Sequence, residues 1–225
     1  MIPLRDDNPT RTFPLVTVAI IAICVIVFVW QSLLTPEAAQ AAVFSLGVIP
    51  AVLFGEAELR APLVPPSATI LTSMFLHGGL LHLAGNMLYL WIFGDNVEDR
   101  MGRGRFIAFY LLAGVVAALA QALPDPGSTI PMIGASGAIS GVLGAYLLLY
   151  PHAKVLVAIP FVVFYTFRVP ALVVLGFWFL GQLLSSLAAD PGVGGVAFRA
   201  HIGGFVAGLV LIRLFVRGRR PLPRR

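Results

Sequence analysis

Charged residues are scarce in this chain of 225 residues, making up 11% of it, whereas hydrophobic residues make up 59%. In soluble domains about a quarter of the residues are charged, so this composition excludes an ordinary soluble protein. The only cysteine, Cys24, excludes an internal disulfide and lies within an apolar stretch, where we expect it to pack. Sequence repeats and long polar linkers are also lacking, which favours a single domain over residues 1–225.

What the chain contains instead is apolar stretches long enough to cross a membrane. They lie at residues 15–34, 70–94, 106–123, 131–150, 155–187 and 200–216. The first is too long for a cleavable signal peptide and is expected to remain as a helix. Prolines break the fifth, so residues 155–167 are expected to be mostly connection, with the span starting near Pro170. The sequence therefore predicts an all-α, polytopic membrane protein with a six-transmembrane-helix bundle.

Basic residues are divided unequally between the two sides of this predicted bundle. An even number of spans places both termini on one side, where nearly all arginines and lysines fall, and only Arg60 and Arg199 fall on the other. The positive-inside rule then makes both termini cytoplasmic. The basic tail, residues 217–225, follows the last span, and attraction to anionic lipid headgroups at the membrane surface explains it more simply than nucleic-acid binding does. Membrane lipids are therefore expected partners, and nucleic acid is not.

The connection between the first two spans, residues 35–69, is apolar but interrupted by Gly47 and Pro50, and it then carries charged residues. This pattern favours short helices that lie in the outer membrane interface.

Polar side chains with catalytic potential fall at one inferred depth. Ser136 begins the fourth helix, His201 lies near the outer end of the sixth, and His82 and Asn86 lie one turn apart in the second, after a glycine pair interrupts it. The fourth helix, from Ser136 to residue 150, is about 22 Å long, shorter than the hydrocarbon core of about 30 Å. It therefore starts below the outer surface, where we expect a water-filled cavity.

Small residues are expected to bring spans four and six together. The stripe on the fourth span consists of Gly137, Gly141 and Ala145, and that on the sixth of Ala200, Gly204 and Gly208. Such stripes allow membrane helices to approach closely. We expect this contact to bring the hydroxyl of Ser136 within reach of His201.

A serine hydroxyl becomes a strong nucleophile when a base takes its proton, and a neutral imidazole can do so near neutral pH. His201 is the candidate base for Ser136, while the Asn86 amide, His82 and the backbone N–H of Ser136 are candidate donors to an oxyanion. The acidic residues fall in tails, loops or helix ends, so no carboxylate is placed to orient His201. The residues predict a Ser-His dyad instead of a triad.

These motifs, "GASG" with Ser136, "HLAGN" with His82 and Asn86, and "AHIGG" with His201, resemble the rhomboid family of intramembrane serine proteases. The resemblance covers nearly the whole chain. It implies cleavage of a peptide bond in or near a substrate's transmembrane helix, with Ser136 as nucleophile, His201 as base, and His82 and Asn86 binding the oxyanion. It implies no cofactor and no metal. It also implies that span five and residues 188–198 gate substrate entry, and the minimal form suggests a bacterial or archaeal plasma membrane.

One position departs from the family pattern. Some relatives carry an aromatic residue one turn after the nucleophile, stacked on the histidine, and Ser140 stands there in this chain. His201 is then held either by a hydrogen bond or by a neighbouring side chain. Ser136 is favoured over Ser140 as nucleophile because it begins the helix, where backbone N–H groups are free.

Two other classes of function compete with this interpretation. A rhomboid-like protein that binds or escorts membrane helices without cutting them usually lacks the serine or the histidine, and both are present here. A small transporter or channel is expected to have inverted repeats or charged residues at the midplane, and neither is seen in the sequence. The sequence specifies neither the substrate nor the oligomeric state.

Overall fold

A computed structural model describes residues 1–59, 62–160, 164–188 and 195–216, and these are mostly helical. The helices are α1 (Leu15–Leu33), α2 (Pro36–Leu46), α3 (Pro50–Leu53), α4 (Thr69–Thr72), α5 (Leu80–Met101), α6 (Arg103–Ala122), α7 (Ser136–Leu149), α8 (Ala171–Ala188) and α9 (Phe198–Phe215). The strands are β1 (Ile2–Asp6), β2 (Lys154–Pro160) and β3 (Phe164–Pro170). Arg60, the basic tail and most of the predicted gating loop lie outside the described residues.

Four of the described helices, α1, α6, α8 and α9, are long and apolar enough to cross a membrane. The segments Pro66–Phe75 and Leu80–Met101 pass the same test as a pair but are bent by 82°. The predicted interruption before His82 is thus confirmed, and the stretch 70–94 is not one straight helix. The short helix α7 has 14 residues, about 21 Å at 1.5 Å per residue. The described residues therefore provide four candidate spans, or five if the bent pair is one span.

The first connection forms the short helices that its sequence predicts. Thr35 begins α2, and its hydroxyl accepts a hydrogen bond from the N–H of Ala38 at 3.3 Å. This is the usual capping role of threonine. The helix ends before Gly47, and α3 begins at Pro50, as the sequence interruptions indicate.

The central helix of the bundle is α7. Its residues 137 to 146 are all buried, and it packs against α5, α6 and α9. A Cβ atom added to Gly204 would overlap the carbonyl oxygen of Gly137. One added to Gly208 would overlap the carbonyl oxygen of Gly141. The backbones of α7 and α9 therefore touch directly, which confirms the predicted contact between the two stripes of small residues.

Glu98, near the end of α5, holds the start of α1. Its carboxylate is 1% exposed and accepts hydrogen bonds from the N–H groups of Val16 and Thr17 at 3.0 and 2.8 Å. The hydroxyl of Thr17 also donates to it, at 2.8 Å. A carboxylate satisfies the free N–H groups of a helix N-terminus and interacts favourably with the helix dipole. This cap holds the start of α1 against α5, which is the second segment of the bent pair.

A three-stranded antiparallel sheet, in the order β1-β2-β3, joins the N-terminal residues to the connection between α7 and α8. The prediction that residues 155–167 are mostly connection is confirmed for the described part of that stretch, and α8 begins at Ala171, next to the predicted start near Pro170. The sheet itself is not predicted by the sequence analysis, and it makes the all-α fold class incomplete. The strands β2 and β3 fall almost entirely in the apolar stretch that continues into α8, so the composition of this stretch does not reveal that they pair.

Two acidic residues attach β1 to the rest of the molecule. The hydroxyl of Tyr146, in α7, donates a hydrogen bond to the carboxylate of Asp6. Asp7 forms an ion pair with Arg168 of β3, with 2.8 Å between Nε and Oδ2. That pair is exposed, and exposed ion pairs contribute little to stability. Asp6 is therefore the more important attachment.

We expect β1 to be held more firmly in mild acid than at neutral pH. Burial raises the pKa of Asp6 from 3.8 to about 6, against the opposing effect of the Tyr146 hydrogen bond. The folded carboxyl thus binds its proton more tightly than the unfolded one, and its contribution to stability falls as pH rises from about 4 to about 6. Hydrogen-exchange protection factors for Ile2–Asp6 in micelles should be larger at about pH 5 than at about pH 7.

Asp6→Asn is the control, because an amide does not titrate. The difference in protection should disappear in this variant. A difference of the same size in Asp6→Asn would contradict the assignment to Asp6.

Candidate active site

The residues singled out from the sequence converge on one cavity of about 1000 Å³ beside the start of α7. The side chains that matter for chemistry are His82 and Asn86 of α5, Ser136 and Ser140 of α7, and His201 of α9. A concave site with a few convergent polar groups has the usual form of an active site. Within residues 1–59, 62–160, 164–188 and 195–216, no group of three or more histidine, cysteine or acidic side chains is placed to hold a metal ion.

Ser136 and His201 are in direct contact. The hydroxyl oxygen of Ser136 lies 2.8 Å from Nε2 of His201. Ser136 is the first residue of α7, where backbone N–H groups have no acceptor within the helix, and His201 lies in the first turn of α9. The close approach of Gly137 and Gly204, one residue beyond Ser136 and three beyond His201, sets this distance.

Ser140 lies one turn below Ser136 and is 1% exposed. Its hydroxyl donates a hydrogen bond of 2.6 Å to the carbonyl oxygen of Ser136. Serine in a helix commonly makes this bond to the fourth preceding carbonyl. The proton of Ser140 is therefore directed to the backbone and not to His201.

Two side chains of α8 contact the ring of His201 on its other side. The amide oxygen of Gln182 lies 2.7 Å from Nδ1. The ring of Trp178 lies 6.0 Å from the imidazole, centre to centre, with 34° between the planes. The sequence leaves open whether His201 is held by a hydrogen bond or by a neighbouring side chain. Both contacts are present, the first from Gln182 and the second from Trp178.

The sequence motifs do not point to Gln182. The sequence does contain an indication, which is a glutamine within an apolar stretch. An amide in such a helix usually needs a hydrogen-bond partner inside the bundle. Its contact with His201 depends on how α8 packs, which the sequence pattern does not give.

His82 presents one ring nitrogen to the cavity. The N–H of Gly78 donates to its Nδ1 at 3.3 Å, so the ring proton belongs on Nε2. A Cβ atom on Gly134 would lie 2.8 Å from that Nε2 and 3.6 Å from the hydroxyl oxygen of Ser136. Gly134, with φ +128°, thus keeps the space between His82 and Ser136 free of a side chain.

Asn86 lies one turn after His82 on the cavity side of α5. Its side chain is only 8% exposed, and among the described residues its Nδ2 has no hydrogen-bond partner. An unpaired buried donor costs about 1–3 kcal/mol. A donor held in this way is available to negative charge that develops in the cavity.

Comparison with known proteins gives a consistent result. The model of the rhomboid domain matches residues 67–218. Rhomboid protein 1, mitochondrial, of Saccharomyces cerevisiae is 31% identical over 161 residues, which are 68% of this chain and 43% of the yeast protein. Rhomboid protease GluP of Bacillus subtilis is 47% identical over 78 residues, which are 35% of this chain and 15% of GluP.

The human presenilin-associated rhomboid-like protein, mitochondrial, is 30% identical over 165 residues, which are 68% of this chain and 40% of the human protein. The chain therefore spans less than half the length of these relatives. All four candidate site residues fall within the matched residues 67–218.

Proposed function

Because this chain belongs to the rhomboid family and is a multi-pass membrane protein, we propose that it is a serine endopeptidase that cleaves transmembrane substrates through a Ser-His dyad. One observation carries the proposal. The hydroxyl of Ser136 lies 2.8 Å from Nε2 of His201 within a cavity of about 1000 Å³. The proton of the nucleophile can pass directly to the base at this distance.

In the proposed reaction, Oγ of Ser136 attacks the carbonyl carbon of the scissile peptide bond while its proton passes to Nε2 of His201. The carbonyl electrons move to the oxygen and form an oxyanion. As the C–N bond breaks, the amine takes the proton from His201, and Ser136 remains acylated. Water then gives a proton to His201 and attacks the ester, and His201 returns the proton to the departing Oγ of Ser136.

Three donors are proposed to bind the oxyanion: Nε2–H of His82, the amide of Asn86 and the backbone N–H of Ser136. Their arrangement supports this role. The Nδ1 of His82 is occupied as an acceptor, Nδ2 of Asn86 is buried without a partner among the described residues, and Ser136 begins a helix. Donors already in place stabilise developing charge without reorganising during the reaction.

The bundle is proposed to have six spans, obtained by counting the bent pair as one span and the short α7 as another. Residues 1–225 then form a single rhomboid-like domain with the connection 35–69 in the outer interface, both termini cytoplasmic, and 217–225 as a basic cytoplasmic tail. A bacterial or archaeal plasma membrane gains no support, because the relatives include mitochondrial proteins of yeast and mammals.

Transmembrane substrates are proposed to enter beside α8. The buried residues of α8, Ala171, Val174 and Leu175, all lie in its first half. Apart from the contact of Gln182 with His201, the second half is therefore less firmly packed, which suits a gate. Residues 189–194 of the predicted gating loop lie outside the described residues.

The proposal is tested by incubating the protein in liposomes with several single-span reporters that carry a helix-breaking segment near the outer end. We expect cleavage of at least one reporter and labelling of Ser136 by a fluorophosphonate probe, mapped by mass spectrometry. Absence of both cleavage and labelling would instead favour a protein that binds or escorts membrane helices without cutting them.

Asn86→Ala tests the oxyanion donors. Loss of one such donor lowers kcat by about 100-fold to 1000-fold in serine proteases, and we expect a loss of that order with little change in KM. The matched control is Asn8→Ala, which removes an amide that donates to Asn96 near the other end of α5, outside the cavity. Equal kcat values in Asn86→Ala and Asn8→Ala would contradict the assigned role.

A further inference from the structure

Gln182 is a polar residue within the apolar helix α8, and the reaction proposed above leaves it without a role. An amide that faces lipid without partners costs several kcal/mol, so a glutamine in a membrane helix is retained where its hydrogen bonds are made. Here both ends of the amide make contacts. Its Nε2 donates to the carbonyl oxygen of Trp178 at 3.5 Å, and its Oε1 faces Nδ1 of His201 at 2.7 Å.

The orientation of this amide follows from its two neighbours. The reversed orientation would place Oε1 of Gln182 against the carbonyl oxygen of Trp178, which is also an acceptor. With Oε1 toward the imidazole, Nδ1 of His201 must carry the ring proton. Its Nε2 is then unprotonated and faces the hydroxyl of Ser136 at 2.8 Å.

We propose that Gln182 is a positioning residue that holds His201 in the tautomer protonated at Nδ1 and aims Nε2 at Ser136. This inference rests on the proposed function. In serine proteases a carboxylate makes this contact, and loss of the correct tautomer is costly. An amide oxygen accepts the same hydrogen bond without bringing a negative charge into the membrane, where charge is expensive.

The amide also acts after proton transfer. Once the proton of Ser136 has moved to Nε2, the imidazolium of His201 still donates from Nδ1 to the oxygen of Gln182, so the base does not turn during the reaction. Its effect should therefore appear in kcat and not in KM.

The variants Gln182→Leu and Gln182→Glu separate positioning from packing. For Gln182→Leu we expect kcat to fall about 10-fold to 100-fold with KM within about twofold of the wild type. For Gln182→Glu we expect more activity than for Gln182→Leu. The acidic limb of its pH profile should move to higher pH, since a nearby carboxylate favours the imidazolium.

A matched control is Gln121→Leu. The amide oxygen of Gln121 accepts a hydrogen bond of 3.2 Å from the N–H of Ala200 and so supports the start of α9. A loss of structural support at Gln121 should lower thermal stability without moving the pH profile. If the pH profiles of Gln121→Leu and Gln182→Glu shifted equally, the proposal that Gln182 positions His201 would be contradicted.

A second measurement uses the wild type alone. Ring-nitrogen chemical shifts of 15N-labelled His201 should show the proton on Nδ1, and a resting proton on Nε2 would overturn the proposal even if Gln182→Leu does not fold. The proposal would also be overturned if the wild type is active and Gln182→Leu has the same kcat. An inactive wild type without probe labelling would instead defeat the proposed function.

Discussion

Ser136→Ala should abolish cleavage of every reporter that the wild type cuts, and His201→Ala should do the same. The two residues act as a pair because Nε2 of His201 lies 2.8 Å from the hydroxyl of Ser136. Without His201 the hydroxyl has no base to take its proton, and without Ser136 there is no nucleophile. Loss of either member of such a pair lowers kcat by roughly 10⁴-fold to 10⁶-fold. Initial rates in liposomes, measured at equal amounts of folded protein, give the comparison.

Ser140→Ala is the matched control for Ser136→Ala, since it removes a hydroxyl one turn away. The hydroxyl of Ser140 is directed to the carbonyl oxygen of Ser136, so the variant should keep activity within about tenfold of the wild type. Both variants should unfold near the wild-type temperature. An inactive Ser140→Ala beside an active Ser136→Ala would reverse the assignment of the nucleophile.

Gly208→Leu should have the largest effect on stability. A Cβ atom there would overlap the carbonyl oxygen of Gly141, so the backbones of α7 and α9 would have to separate. Forcing backbone apart in a packed core costs about 3 kcal/mol or more, which is a large fraction of the stability of a typical protein. We expect a strongly lowered unfolding temperature in micelles and little monodisperse protein.

Gly176→Leu provides the comparison for Gly208→Leu. It adds the same side chain to a helical glycine in α8, where an added Cβ atom has no neighbour within 4 Å. Its unfolding temperature should stay close to that of the wild type. If Gly176→Leu and Gly208→Leu unfold at the same temperature, close packing of α7 on α9 is not what holds the bundle together.

The sequence predicts the geometry near Ser136 well because two simple constraints act there. Membrane spans fix the depth of each residue, and the stripes of small residues fix which helices touch, so Ser136 and His201 come together. For Gln182 only the depth is fixed in this way. It reaches His201 because α8 packs with one particular rotation, and that rotation depends on tertiary contacts along its first half.

The number of spans and the presence of the sheet are harder to predict from the sequence than the geometry near Ser136. The sequence predicts the interruption before His82 and a short fourth helix, but hydropathy gives neither the 82° bend of the second stretch nor whether the 14-residue α7 counts as a span. Most of β2 and all of β3 fall within the apolar stretch 155–187, which hides them from a hydropathy analysis. The pairing of β2 with β1 joins residues far apart in sequence, which no local pattern records.

The order of synthesis makes the sheet a late event. Ile2 pairs with Ala158, so β1 leaves the ribosome long before its partner exists. At about 5–20 residues per second, the N-terminal strand waits roughly 8 to 30 s for β2, while α1 to α7 are synthesised. During that time its edge is unpaired and open to chaperones or to a neighbouring nascent chain. Assembly of the bundle therefore starts before β1 is paired, and the sheet closes only after α7 and β2 have been synthesised.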